Sequence, residues 1–239
     1  MAQDLLFLAR ITLITSTMIY ASYQDWVSRE IDDKVWIVGG GIGATLTGVD
    51  LALSWSLMKL ILTVMSIGLS TGLAFMFYYM GLYGGADAKA IAAISASLPI
   101  YYPPLGLHPF TGLASLTNGL IISLILPITF LLYNIYRIIK GDNIFKGFEH
   151  ESRWRKAAAI IFGTRVNHAG KFWFPLEEEH EGTRFFKFNL FSLDLEENVR
   201  EDSWATPGIP LLIFITIGMI TFLTLGDISA YILKLFTQT

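Results

Sequence analysis

The sequence predicts an all-α polytopic membrane protein with six transmembrane helices and a small, partly β insert between the fifth and sixth. Three observations predict it. Of 239 residues, 53% are hydrophobic and only 15% are charged, against roughly a quarter charged in soluble domains. The apolar residues fall in long blocks instead of short periodic stripes. One hydrophilic stretch interrupts those blocks late in the chain.

A bilayer core of ~30 Å needs about twenty helical residues, and every backbone polar group inside it must be satisfied internally. The first block, Leu5 to Tyr23, has no basic segment before it and no small-residue cleavage site after it. It is expected to be a retained helix, not a signal peptide. The second, Val35 to Leu53, carries Gly39, Gly40, Gly41 and Gly43 with no P-loop lysine after them; close helix packing accounts for such a cluster. The third runs from Leu57 to Met80. The fourth, Ala86 to Pro99, is short and built of Ala, Ser and Ile, so it is expected to be surrounded by protein instead of lipid. Asn118 to Ile139 and Pro207 to Phe236 complete the set. The resulting divisions are residues 1–139 for spans one to five, 140–206 for the insert and 207–239 for the last span.

Sidedness follows from the cations beside the spans. With the N-terminus outside, the inner connections hold Arg29, Lys34, Lys89, Arg137 and Lys140, and the outer ones only Lys59 and Lys234. The expectation is a multi-pass protein of the cell membrane with an extracytoplasmic N-terminus and a cytoplasmic insert.

Within the insert, ESRWRKAAAIIFG suits a helix, and the partly alternating FFKFNLFSLDL suits a short strand. Its ten basic and twelve acidic residues nearly cancel, so it carries no strong electrostatic instruction. The acidic run Glu177 to Glu181 reads as a solvated loop. No internal repeat is apparent.

Several chemistries have no residues to carry them. There is no cysteine, hence no disulfide framework, thiolate nucleophile or Cys-ligated zinc. His108, His150, His168 and His180 have no metal-ligand spacing, so neither metal nor cofactor is expected. A net charge of -3 gives no reason to expect a nucleic-acid partner.

Acids in or beside spans are costly, and each is a functional candidate. Asp25, Asp50, Asp87 and Asp227 are in that position. Asp25 lies about 30 Å along its helix from Leu5, at 1.5 Å per residue, which places it at the inner end. Asp87 opens the fourth span from that same side. Asp50 and Asp227 lie toward the outer ends, where interfacial or packing roles are expected. Two carboxylates held close together tend to share one proton. Such a pair can act as general base and general acid on water and a peptide carbonyl, without metal or covalent intermediate. Gly84 and Gly85 before Asp87 allow close approach of a backbone. Lys89 either supports the Asp87 carboxylate or snorkels at the interface; the interfacial reading is preferred.

At these residues the chain resembles the type IV prepilin peptidases, most closely their archaeal preflagellin branch, among the GxGD intramembrane aspartyl proteases. The block Gly84, Gly85, Ala86, Asp87, Ala88, Lys89 resembles the family's G-x-G-D-x-K segment, with Ala86 where the strict pattern has its second glycine. DWVSREIDDKV resembles the first-aspartate motif through Asp25, Arg29, Ile31, Asp32 and Asp33. The resemblance implies Asp25 and Asp87 as catalytic aspartates, with Gly84, Gly85, Ala86 and Lys89 in support. It implies class III signal peptides of archaellin- or pilin-like precursors as substrates, cut on the cytoplasmic side, with the lipid bilayer as the other partner. The zinc module and N-methyltransferase activity of bacterial members are not carried over, because the cysteines are missing. A proton- or cation-coupled transporter is the alternative, and a non-catalytic assembly subunit a third reading. The transporter predicts acids near the midplane and matching broken helices in two halves.

Overall fold

The computed structural model describes residues 2–168, 170–188, 200–208 and 210–237. The chain is mostly helical with a small β-containing insert. It divides into two compact units, Met1–Ser123 with Pro210–Thr239, and Leu124–Ile209.

The first unit contains α1 (Ala2–Ser28), α2 (Asp33–Leu53), α3 (Leu57–Tyr79), α4 (Gly85–Ser97) and α5 (Thr111–Ser123). The second contains α6 (Ile125–Ile139), α7 (Arg153–Phe162) and, among the described residues, five short strands. The chain then returns to the first unit with α8 (Leu211–Thr224) and α9 (Ile228–Thr237).

Among the described residues, four stretches are long and apolar enough to cross a membrane: Gln3–Ser28, Asp33–Leu53, Leu57–Tyr79 and Thr111–Ile139. A fifth is available if α8 and α9, bent by 62°, count as one broken span. The sequence predicts six, and the fourth makes the difference. With 13 residues, α4 is only about 20 Å long, well short of the hydrocarbon thickness.

That short helix is the packing centre of its unit. It lies against α1, α2, α3, α5 and α8, and Ala88, Ala90, Ile91 and Ile94 are fully buried. Small side chains permit this crowding. A Cβ built on Gly43 of α2 would lie 2.9 Å from the Cα of Ser97, and one on Gly39 would meet Thr17 of α1 at 2.5 Å. Gly41 in the same cluster faces open space, so the packing account holds for Gly39, Gly40 and Gly43 but not for every member. In like manner α5 crosses α8 at Gly119, whose added Cβ would come within 2.9 Å of Ile215 Cα.

Polar side chains inside the unit satisfy backbone groups that helix ends leave open. Arg10, 5% exposed, donates from Nε to Ser97 O at 2.8 Å and from Nη1 to Asp50 Oδ2 at 2.8 Å. Thr47 donates to Ala96 O at 2.7 Å and Ser97 O at 3.0 Å. Where α8 breaks at Gly226 (φ 108°), Asn118 spans the gap. Its Nδ2 donates to Gly226 O at 3.0 Å and its Oδ1 accepts from the Ile228 N–H at 2.9 Å. Asp227 is buried and accepts from the Ser229 N–H at 2.9 Å, within the first turn of α9.

In the second unit the predicted helix begins at Ser152, whose hydroxyl accepts from the Arg155 N–H at 3.3 Å, a usual N-cap arrangement. Asn134 of α6 ties α7 down, donating to Ile160 O at 3.0 Å and Gly163 O at 2.7 Å. Strands β1 (Thr164–Val166), β5 (Ser203–Pro207) and β2 (Trp173–Pro175) form an antiparallel sheet in that order, with Arg165 opposite Trp204 and Phe174 opposite Thr206. The core is aromatic: Trp204, Phe148 and Phe186 are essentially inaccessible.

Two expectations for the insert change here. The acidic run expected as a solvated loop is instead β3 (Glu177–His180), paired with β4 (Thr183–Phe186). The turn between them is Glu181-Gly182, with φ 51° and 78°; a two-residue turn with both central residues at positive φ matches the twist of a hairpin. Glu177 is held there by Arg184, with contacts of 2.6–2.9 Å, and by the Trp204 N–H at 2.8 Å. The predicted strand FFKFNLFSLDL begins within β4 at Phe185 and Phe186; its residues 189–195 lie outside the described residues.

Candidate active site

The site is built at one end of α1 and the opening of α4. Near the α1 C-terminus, the Arg29 N–H donates to Asp25 O at 3.2 Å and Arg29 takes φ 61°. This left-handed residue stops the helix, one turn after Asp25. Ser28 Oγ donates to Gln24 O at 2.9 Å and Glu30 O at 2.9 Å, folding the chain away from the helix. Asp25 is half-buried on the last full turn.

On the other side, α3 ends at Gly81 (φ 75°), with the Leu82 N–H donating to Phe77 O at 3.0 Å. Tyr83 OH donates back to Ala74 O at 2.8 Å, and its ring meets Phe77 edge to face. The loop is thereby pinned to the helix that it leaves. Gly84 is the N-cap of α4, and Asp87 is its third residue. The Asp87 N–H donates to Gly84 O at 3.1 Å, and Asp87 Oδ2 accepts from the Gly84 N–H at 3.2 Å. The carboxylate therefore bonds the N-cap backbone and sits at the positive end of the helix dipole. A Cβ on Gly85 would press to 3.3 Å from the Tyr78 ring, and Ala86 is half-buried beside it.

These elements bring Asp25 and Asp87 into electrostatic contact, 62 positions apart in the sequence. Arg29 acts on both carboxylates, so one cation faces two acids. Asp87 is 9% exposed, while Asp25 is more open. Such a pair, one sheltered and one more open, has the parts of a general-acid and general-base couple.

Lys89 does not join it. Its Nζ pairs with Asp33 Oδ1 at 2.6 Å, with both side chains substantially exposed. Asp32 caps α2 by accepting from the Lys34 N–H at 2.9 Å. Asp50 and Asp227 lie in the packing contacts described above, apart from the Asp25 and Asp87 pair. Two contributors were not singled out for the site by sequence reasoning. Arg29 was visible as a basic residue four after an acid, without a role; Tyr83 gave no signal, because its task is to hold a loop against a helix distant from any motif.

Comparison with known proteins is consistent across the chain. Residues 12–136 match the type IV leader peptidase family, and residues 159–228 match the archaeal Peptidase A24 C-terminus Type II. The preflagellin peptidase of Methanocaldococcus jannaschii is 26% identical over 227 residues, covering 88% of this chain and 91% of that protein. Those of Methanococcus voltae and Methanococcus maripaludis are 23% and 26% identical, each covering 88% of this chain and 92% of the relative. The first match takes in both aspartate motifs and more than half of the sequence, and on that ground the chain belongs to the type IV leader peptidase family.

Proposed function

We propose that this protein is a membrane aspartyl endopeptidase that removes class III signal peptides from preflagellin or prepilin-like precursors at the cytoplasmic face of the cell membrane. The observation that carries the reading is that Asp25, near the end of α1, and Asp87, in the first turn of α4, lie within electrostatic range of one another. The names of the three relatives, all preflagellin peptidases, support the substrate class. The cation distribution supports an extracytoplasmic N-terminus and a cytoplasmic insert over residues 140–206, with α4 as a short span shielded from lipid by its neighbours.

One carboxylate, ionised, takes a proton from a water held between the two acids. The water oxygen adds to the scissile carbonyl carbon as the other, protonated, acid gives its proton to the carbonyl oxygen. The tetrahedral intermediate collapses when the first acid passes the proton it took from water to the leaving nitrogen, the other carboxylate takes a proton back from a hydroxyl of the diol, and the C–N bond breaks to a carboxylic acid and an amine. Arg29 offsets one of the two negative charges. Gly84, exposed at the α4 opening, leaves space for an extended substrate backbone, while Gly85 lets the Tyr78 ring pack against the turn.

The test uses purified protein in detergent with an archaellin precursor, compared with Asp25→Asn and Asp87→Asn. Both variants lose cleavage while keeping the helical circular dichroism of the parent. Cleavage retained by either one removes that carboxylate from the mechanism.

A further inference from the structure

A second site lies at the opposite end of α4 from Asp87. There the C-terminal turn of α2, the first turn of α3 and the chain after α4 border a half-open cavity of about 410 Å³, lined among others by Phe7, Arg10, Asp50, Lys59, Leu62 and Tyr102. Its walls are largely apolar and its floor is charged. Arg10 Nη1 and Lys59 Nζ both reach Asp50 Oδ2, at 2.8 and 2.9 Å. Lys59 also donates to Asp50 O at 3.4 Å and to Ser54 Oγ.

Two cations thus share one carboxylate. No other acid lines the cavity among the described residues, so one positive charge is left over. Arg10 is 6% exposed and Lys59 31% at the side chain, and a charge removed from water in this way is stabilised by an anion. Asp50 lies within one turn of the α2 C-terminus and Lys59 within one turn of the α3 N-terminus. For helices long enough to cross the bilayer, those turns lie at the level of lipid headgroups.

We propose that this cavity binds one anionic amphiphile, a phosphate ester on a hydrocarbon chain, with the phosphate at the Arg10 and Lys59 end and the chain along Phe7 and Leu62. Charge complementarity selects the anionic head, and the apolar walls select an ester carrying a chain over free phosphate. The site is distinct from the aspartate pair. Its occupant steadies the end of α4 whose last carbonyl Arg10 already holds, and it takes no part in hydrolysis.

The experiment is native mass spectrometry of the full chain released from detergent, titrated with dioleoyl phosphatidylglycerol, dioleoyl phosphatidylcholine or inorganic phosphate. Lys59→Gln and Leu62→Trp are compared with the parent, each first checked for unchanged helical content. The expected result is one phosphatidylglycerol retained by the parent. Lys59→Gln weakens it about fivefold, as loss of one interfacial cation does, and Leu62→Trp expels it by filling the cavity. Phosphatidylcholine and inorganic phosphate are held no better by the parent than by Lys59→Gln. Equal retention of both lipids, equal retention by parent and both variants, or displacement of the lipid by millimolar phosphate each overturns the proposal.

Discussion

Lys89 pairs with Asp33, at 2.6 Å, and not with the Asp87 carboxylate two positions before it. The basic residue of the second aspartate motif is therefore tied to the last acid of the first, and the pair ties the start of α2 to α4. Because the two side chains are 42% and 68% exposed, the pair contributes little to stability, less than about 1 kcal/mol. Lys89→Gln is expected to shift the thermal midpoint only slightly, with the shift vanishing at high salt. A large, salt-independent loss would show that Lys89 has a buried role.

If Asp25 and Asp87 work as one couple, their substitutions cannot be additive. Each single Asn variant is expected to lose about 10²–10⁴-fold in kcat/KM, the range for a general acid or base. The double variant should fall no further than the weaker single. A steady-state cleavage assay on one precursor measures all three, and a double variant losing the product of both effects would indicate independent roles.

The glycine cluster of α2 predicts a contrast between neighbours. Gly43→Ala places a methyl against the Ser97 backbone, at 2.9 Å from its Cα, and overpacking of that kind costs about 1–3 kcal/mol. Gly41→Ala meets nothing within 4 Å, and alanine is the better helix former, so it should be neutral or mildly stabilising. Thermal unfolding in detergent ranks the two.

Glu177 accepts from both Arg184 and the Trp204 N–H and is only 10% exposed at the side chain. Glu177→Ala strands a backbone donor and a guanidinium beside the β5 strand, a loss of about 1–3 kcal/mol. Glu181→Ala, at the exposed hairpin turn, also meets its positive φ of 51° but leaves the Arg184 and Trp204 bonds of Glu177 in place and should cost less. Proteolytic susceptibility of residues 124–209 reports the difference.

Arg165 holds Asp202 through two bonds of 2.7 Å, and this hydrogen bonding keeps the Asp202 carboxyl below its ordinary range. A depressed native pKa means stability that is fully present above the unfolded value, near 4, and is lost as pH falls through the native value. The parent should therefore lose stability below about pH 4, and Asp202→Asn should show less of that acid dependence. Thermal midpoints measured between neutral pH and the acid limit decide it; an unchanged acid slope in the variant would discard the pair as its source.

Much of this protein was legible without coordinates. Long apolar blocks mark α1, α2 and α3, because lipid demands a fixed length of uncharged helix whatever the packing around it. Both aspartates stand out for the related reason that an acid beside such a block is expensive. The helix after Ser152 was legible from the stretch ESRWRKAAAIIFG, whose residues suit a helix whatever packs against them.

Other features depended on residues far apart in the chain. Whether α4 was a full span could not be read from composition, since Ala, Ser and Ile suit both a buried half-length helix and a packed crossing one; the surrounding helices decided it by burying it. The acidic run 177–181 looked solvated because its cation, Arg184, and its backbone donor, at Trp204, become neighbours only when the hairpin closes and β5 arrives. The partner of Lys89 was chosen by the approach of α2 to α4. The sequence by itself determined which segments avoid water and which acids stand at their ends, because those are local transfer costs. Only the tertiary structure decided which charges face one another, because Coulomb energy depends on distances that the order of residues does not contain.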